Sequence, residues 1–180
     1  MKLRSTESLL EEGRGAKREH RLKYARSLFR KALDESRSSE NKALRAMLYV
    51  ELAYVERLLG EREHATTHYL RAAEIYRSVD DPLRTAHTVR HAADLRREQG
   101  RKDESAQFYL EALGIYRARN DTPQLDLANA IRGFALLKGQ MGATSEALAL
   151  WQEARDLYRL ENIDDGVEES NRQIGSLMAT

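Results

Sequence analysis

The sequence predicts an all-α fold: a solenoid of four antiparallel helix hairpins followed by a C-terminal capping helix. Three observations carry that expectation. First, the segment Ala72-Ala73-Glu74-Ile75-Tyr76-Arg77 returns as Ala112-Leu113-Gly114-Ile115-Tyr116-Arg117 and as Ala154-Arg155-Asp156-Leu157-Tyr158-Arg159, a period of 40–42 residues. Self-similarity in this range marks stacked supersecondary units. Second, Gly60, Gly100 and Gly142 each fall between two periodic apolar segments, where a glycine ends the first helix of a hairpin. Third, 33% of residues are charged, 7% are aromatic and only two are proline. That balance suits amphipathic helices with one solvated face and gives little support to a sheet.

The elements follow in order. The first hairpin, about residues 5–38, holds helices near 5–15 and 18–37. Gly13 takes its small position, His20 stands where the turn glycine belongs, and Ala25, Phe29 and Ala32 follow. The second, about 40–80, has helices near 40–59 and 62–78, with Leu52-Ala53, Gly60, Ala65, Tyr69 and Ala72. The third, about 83–121, has helices near 83–99 and 102–119, with Ala92-Ala93, Gly100, Ser105, Tyr109 and Ala112. The fourth, about 124–162, has helices near 124–140 and 144–160, with Phe134-Ala135, Gly142, Ala147, Trp151 and Ala154. Residues four and seven apart share a helix face. Ala65, Tyr69 and Ala72 thus make a small–large–small stripe that lets a neighbouring helix approach closely. Asp80-Asp81-Pro82 and Asp121-Thr122-Pro123 separate units, because proline disfavours helix in the residue before it and Asp caps the next helix. A last helix near 165–178 places Gly175 at the small position and solvates the open end. The 180 residues are expected to form a single repeat domain.

Composition excludes several functions. Without cysteine there is no disulfide framework, thiol nucleophile or cysteine-held zinc. No apolar run approaches the roughly 18 residues of a membrane-spanning helix, and the N-terminus lacks an apolar signal-peptide core. The expectation is a cytoplasmic protein without membrane contact. Gly-rich phosphate loops and Gly-x-Ser-x-Gly elbows are absent, so no enzyme and no cofactor are expected. The net charge is +1. Residues 1–37, however, hold 11 Lys/Arg against 6 Asp/Glu, and residues 160–180 hold one Arg against five acids. Oppositely charged ends fit either solvated end helices or a homo-oligomer assembled head to tail. The basic run Arg14 to Lys31 presents charge at helical spacing but no base-reading motif, so nucleic acid is not expected.

The recurring Ala53/Ala93/Ala135, Gly60/Gly100/Gly142, Ala65/Ser105/Ala147, Tyr69/Tyr109/Trp151 and Ala72/Ala112/Ala154 resemble the tetratricopeptide repeat family over about residues 20–180. Two departures stand out: the period exceeds the usual 34, pointing to a long-period subtype, and Glu56 and Arg96 stand where a tyrosine is usual. The resemblance implies a right-handed superhelix and a concave groove, lined by the first helix of each hairpin, that binds a peptide or partner segment. It places Met47, Val50, Tyr54 and Arg57 on the groove side of the second unit, and His87, Arg90, Asp94 and Arg97 on that of the third. Asn129 and Arg132 follow in the fourth, and Arg172 in the last helix. Arg90, Arg132 and Arg172 then form an anion-binding ladder for an acidic peptide. Asn129 would hydrogen-bond its backbone, and Met47 and Tyr54 would make apolar contacts. The bland alternative ties Arg90, Asp94 and Arg97 to one another within a single helix. The lysine and asparagine set of the chaperone-binding members is absent. Regulation through a change of superhelical pitch and self-associating scaffolding remain alternatives to an adaptor.

His64/His68 and His87/His91 each stand four residues apart, a spacing that lets both rings share one face and hold a metal. No carboxylate second shell is identifiable for them and the two pairs can face opposite sides of the layer, so they are read as surface histidines. Trp151 is read as core. The glycine cluster Gly133, Gly139 and Gly142 is read as a place of close helix approach or a flexible point.

Overall fold

The computed structural model describes residues 5–38 and 40–179. Among them are the helices α1 (Thr6–Arg18), α2 (Leu22–Glu35), α3 (Lys42–Leu58), α4 (Arg62–Ser78), α5 (Pro82–Glu98), α6 (Lys102–Arg117), α7 (Gln124–Gln140), α8 (Thr144–Leu160) and α9 (Asp164–Met178), with a 3₁₀ turn at Ser36–Ser38. No strand occurs among the described residues, and none of their helices is long and apolar enough to cross a membrane. From α3 onward the helices lie within two residues of the expected spans. The first hairpin differs: its turn falls at residues 19–21, later than expected, and α2 ends before the 3₁₀ turn.

One device makes most of the turns. At Gly60, Gly100 and Gly142 the backbone enters the left-handed region, with φ of 81°, 76° and 77°. The following N–H then reaches back five residues: Glu61 to the Glu56 carbonyl at 2.9 Å, Arg101 to Arg96 at 2.9 Å and Ala143 to Lys138 at 3.0 Å. This is the Schellman closure of a helix C-terminus. His20, Asp80 and Asn162 make the same turn at φ of 56°, 54° and 55°, with five-residue bonds from Arg21, Asp81 and Ile163. His20 therefore does the work of a glycine despite its Cβ.

The turn between α6 and α7 departs from this pattern and explains the uneven period. Three residues separate α4 from α5, and six separate α6 from α7. The Tyr76 and Tyr158 carbonyls are each met by a backbone N–H. The Tyr116 carbonyl accepts from the Arg119 N–H at 3.4 Å and, in place of a five-residue backbone bond, from the buried Thr122 hydroxyl at 2.8 Å. The longer loop, only partly offset by a slightly shorter α6, stretches the interval from Gly100 to Gly142. At the other separators, Asp81 caps α5 by accepting from the Arg84 N–H at 3.0 Å, with Pro82 as the first helical residue.

The chain divides into two compact units, one ending at Leu95 and one beginning at Arg96. In the first, α1 packs on α2 and α3 on α4, with α2 against α3. Leu9, Leu10, Leu28, Phe29, Leu48, Leu52 and Val55 form its main core. The small position of the first hairpin is real: a Cβ on Gly13 would lie 2.4 Å from the Phe29 ring. The α5 portion of this unit docks on α4 by stacking His91 on Tyr69, ring centroids 5.1 Å apart.

In the second unit α6 packs on α7, α7 on α8 and α8 on α9. Tyr109, Tyr116, Trp151 and Tyr158 are buried. Gly133 marks the close approach of α7 to Tyr109, and Gly166 that of α9 to Tyr158. The register expected for α9 is corrected here. Gly175 is exposed and a Cβ there would meet nothing within 4 Å, whereas Gly166 and Ser170 form the buried face. The large Tyr158 ring sets the contact, so the small residue is needed at the start of α9.

Candidate functional site

In the first unit the candidate residues lie on α3 and α5, and α1 joins them. Tyr54 is exposed at 43%, and the Lys17 ammonium sits over its ring, 4.8 Å from the centroid. Lys17 also pairs with Glu51 Oε2 at 2.5 Å, while Arg14 Nε donates to Glu51 Oε1 at 2.8 Å. Glu51 in turn raises the Arg14 pKa, mainly through this hydrogen bond. Arg14 Nη2 lies 3.0 Å from Met47 Sδ. Met47 and Val50 are half-buried and rest on the two core clusters of this unit, so of these three candidates Tyr54 offers the broad apolar surface.

Arg14 and Lys17 were not among the expected site residues, yet the signal was present. They stand one and four residues after Gly13, the offsets that select Tyr54 and Arg57 after Ala53. Applied to Gly13, the small residue of the first hairpin, the same offsets point to both.

On α5 the candidates gather around one histidine. Arg90 Nη1 donates to Asp94 Oδ2 at 3.0 Å, and its Nη2 lies 2.9 Å from His91 Nε2. His87 Nε2 is 3.2 Å from that same His91 nitrogen. The Arg90–Asp94 link is the within-helix pair weighed as the bland alternative. His91 is held well below its ordinary pKa of 6.5, first by burial and then by Arg90, His87 and Arg57. Its Nδ1 is enclosed with no hydrogen-bond partner. Burial likewise raises the Tyr69 phenol beneath it. The result is a half-buried cluster of cations and imidazoles on a neutral aromatic floor.

In the second unit Arg132 reaches from α7 to α9, its Nε 2.5 Å and Nη2 2.6 Å from the two Glu169 oxygens. The sequence shows no acid one turn from Arg132; the fold supplies one from the neighbouring helix. Asn129 Oδ1 accepts from the Tyr158 hydroxyl at 2.8 Å, so its carbonyl is engaged within the fold. Arg172 is 69% exposed, 3.6 Å from Glu168, and lies away from the face that α9 buries. Arg97 is half-buried with its Nε enclosed. A cavity of about 280 Å³ opens between α7, α8 and α9, lined by Ala135, Leu136, Gly139, Gln140, Trp151, Gln173 and Leu177. Leu136 and Gly139 occupy the offsets one and four after Ala135.

The histidine pairs are not plain surface residues. His64 is 68% exposed, but His68 is 22% exposed. His68 Nδ1 lies 2.6 Å from Glu56 Oε2, and its ring stacks on Tyr49. The carboxylate that His68 meets is Glu56, twelve residues upstream, while His64 faces Glu61 within its own turn.

Residues 44–118, from α3 to the end of α6, match the family model of the tetratricopeptide repeat. No curated protein matches the sequence. Several solved structures share the fold. BtubC (BKLC) from P. vanneervenii superposes with a TM-score of 0.73 at 15% identity, covering 96% of this chain and 79% of that one. The apo form of RapI gives 0.85 at 14% identity, covering 97% and 48%. A Rap protein complexed with Competence and Sporulation Factor gives 0.77 at 14% identity, covering 98% and 50%. The chain thus spans about half the length of these two Rap proteins. At such identities the likeness shows the fold alone. Over residues 44–118 this chain is similar to the tetratricopeptide repeat family.

Proposed function

We propose that this protein is a non-catalytic interaction module that holds a peptide or an extended partner segment against the first helices of its hairpins. The cavity over Trp151 carries the reading. It opens at Leu136 and Gly139, positions where the family receives its ligands, and its size suits one large apolar side chain. Arg132, on α7 one turn before Ala135, favours an acidic segment. Arg132 and Glu169 remain 37% and 26% exposed, so an incoming carboxylate can replace Glu169 without stranding either group. In the first unit, Tyr54 flanked by Lys17 and Arg57, together with Arg90, His87 and Asp94, offers the same mixed chemistry. The fold shared with a Rap protein solved with Competence and Sporulation Factor supports an interaction role.

The test uses Trp151, the single tryptophan, as reporter. Acidic peptides with one aromatic residue are titrated while its fluorescence is followed, in wild type and in the Arg132→Glu/Arg172→Glu variant. Saturable quenching or blue shift that weakens at least about tenfold in the variant, roughly 1.4 kcal/mol, is expected. Binding unchanged by the variant would refute the ladder.

One observation favours self-association as a second reading. Asp164, Asp165 and Glu168 of α9 are exposed, as are Arg21, Lys23 and Lys31 at the opposite end of the sequence. Light scattering at low and high salt separates the two: a salt-sensitive multimer supports assembly, a monomer at both supports the adaptor.

A further inference from the structure

We propose that Glu56, Glu61 and His64 form a zinc site at the turn between α3 and α4, with His68 beside it. The argument starts from Glu56. A carboxylate at a position where the family has an aromatic residue is fully buried, at 0% exposure. A buried charge is retained only when its oxygens are satisfied. Arg30 Nη2 holds Oε1 at 3.1 Å, and His68 Nδ1 meets Oε2 at 2.6 Å. Glu61 repeats the arrangement at the surface. Arg26 Nη1 donates to its Oε1 at 2.6 Å, and Oε2 faces His64 Nδ1 at 3.4 Å. Each carboxylate is therefore steadied through one oxygen by an arginine of α2, while its other oxygen is turned toward an imidazole of α4. That is the outer-shell support typical of metal ligands.

The spacing fits the ion. Zinc bound to nitrogen and oxygen at about 2.0–2.2 Å in a tetrahedron puts neighbouring donor atoms about 3.4 Å apart. The Glu61–His64 pair is already at 3.4 Å, and donor atoms of Glu56, Glu61 and His64 all lie within 4.8 Å of one another. His64 and His68 are one turn apart on α4, so His68, already on Glu56, or a water fills the fourth position. The two nearby arginines weaken affinity for a dication and set the expectation below that of a cysteine-rich structural site. Arg30 is half exposed and can swing into water as the metal enters. The other histidine pair is less suited: the Arg90 guanidinium lies 2.9 Å from His91 Nε2, against the nitrogen a metal would take.

The experiment is calorimetric titration of the whole, metal-stripped chain with zinc chloride, paired with thermal unfolding. The expected result is one zinc per chain and a higher unfolding temperature with metal. His64→Ala, at an exposed position that should not disturb folding, is expected to weaken zinc binding about 10–100-fold. His87→Ala is expected to leave it unchanged. Cobalt in place of zinc is expected to give the intense visible absorption of a tetrahedral centre. Absence of saturable binding up to about 100 µM zinc, or binding lost in His87→Ala but kept in His64→Ala, would overturn the assignment.

Discussion

Replacing Gly133 by alanine isolates close helix packing from helix propensity. A Cβ at this position would lie 2.6 Å from Tyr109 Oη, 2.7 Å from Cε1 and 2.9 Å from Cζ. These distances are about 1 Å inside ordinary carbon contact. The ring has nowhere to go: Tyr109 is fully buried, and its centroid is 5.7 Å from that of Phe134. Overpacking of this kind costs about 1–3 kcal/mol, and three simultaneous encroachments belong in the upper half of that range. Alanine recovers about 1 kcal/mol of helix propensity. The net expectation is about 1–2 kcal/mol of destabilisation. Gly114→Ala is the control, since a Cβ there meets nothing within 4 Å; it is expected to stabilise, by up to about 1 kcal/mol. Urea unfolding followed by Trp151 fluorescence reads the correct unit, because Gly133, Gly114 and Trp151 all lie beyond Arg96. Adding Tyr109→Phe to Gly133→Ala removes the nearest atom and should restore part of the loss, a coupling visible in a double-mutant cycle. A Gly133→Ala midpoint at or above wild type would show that the contact is not tight and that the reasoning fails.

Two further predictions rest on particular conformations. His20→Gly is expected to stabilise the first hairpin by up to about 1 kcal/mol, since an L-residue at positive φ carries about 1–2 kcal/mol of strain that glycine lacks, less glycine's larger entropy loss; thermal unfolding measures it, and a lower melting temperature would contradict it. His91 titrates below its unfolded value of 6.5, so the unfolded chain takes up the proton first as pH falls. Stability is therefore fully present above about pH 6.5 and declines as pH drops through and below that value. His91→Phe keeps the stack on Tyr69 and should flatten that decline between about pH 7 and 5, as followed by denaturant midpoints.

The parts of the fold legible in the sequence are those set by local rules. Gly60, Gly100 and Gly142 mark turns because only glycine enters the left-handed region without strain. His20 could be placed at the same role by register alone. The site was less legible because its contacts join different helices. Arg132 has no acid within a turn, yet it is held by Glu169, 37 residues on. Glu56 could be flagged as anomalous at an aromatic position, but Arg30 and His68 as its partners needed three helices brought together. Periodicity gives the face a residue occupies; it does not give the neighbour across the gap. The misplaced register of Gly175 has the same origin: the ring of Tyr158 decides where α9 must be small, and no pattern within α9 records it.

Four of the ion pairs between helices have a common reach. Arg14–Glu51, Arg132–Glu169, Arg117–Glu153 and Arg26–Glu61 span 37, 37, 36 and 35 residues. Each link closes over little more than the stretch of chain made just before it. Within each unit a nascent chain can therefore secure newly made helices against those just before them as it leaves the ribosome, without waiting for its distant end. Order then spreads through each unit by nearest-neighbour steps, in the manner of a one-dimensional lattice.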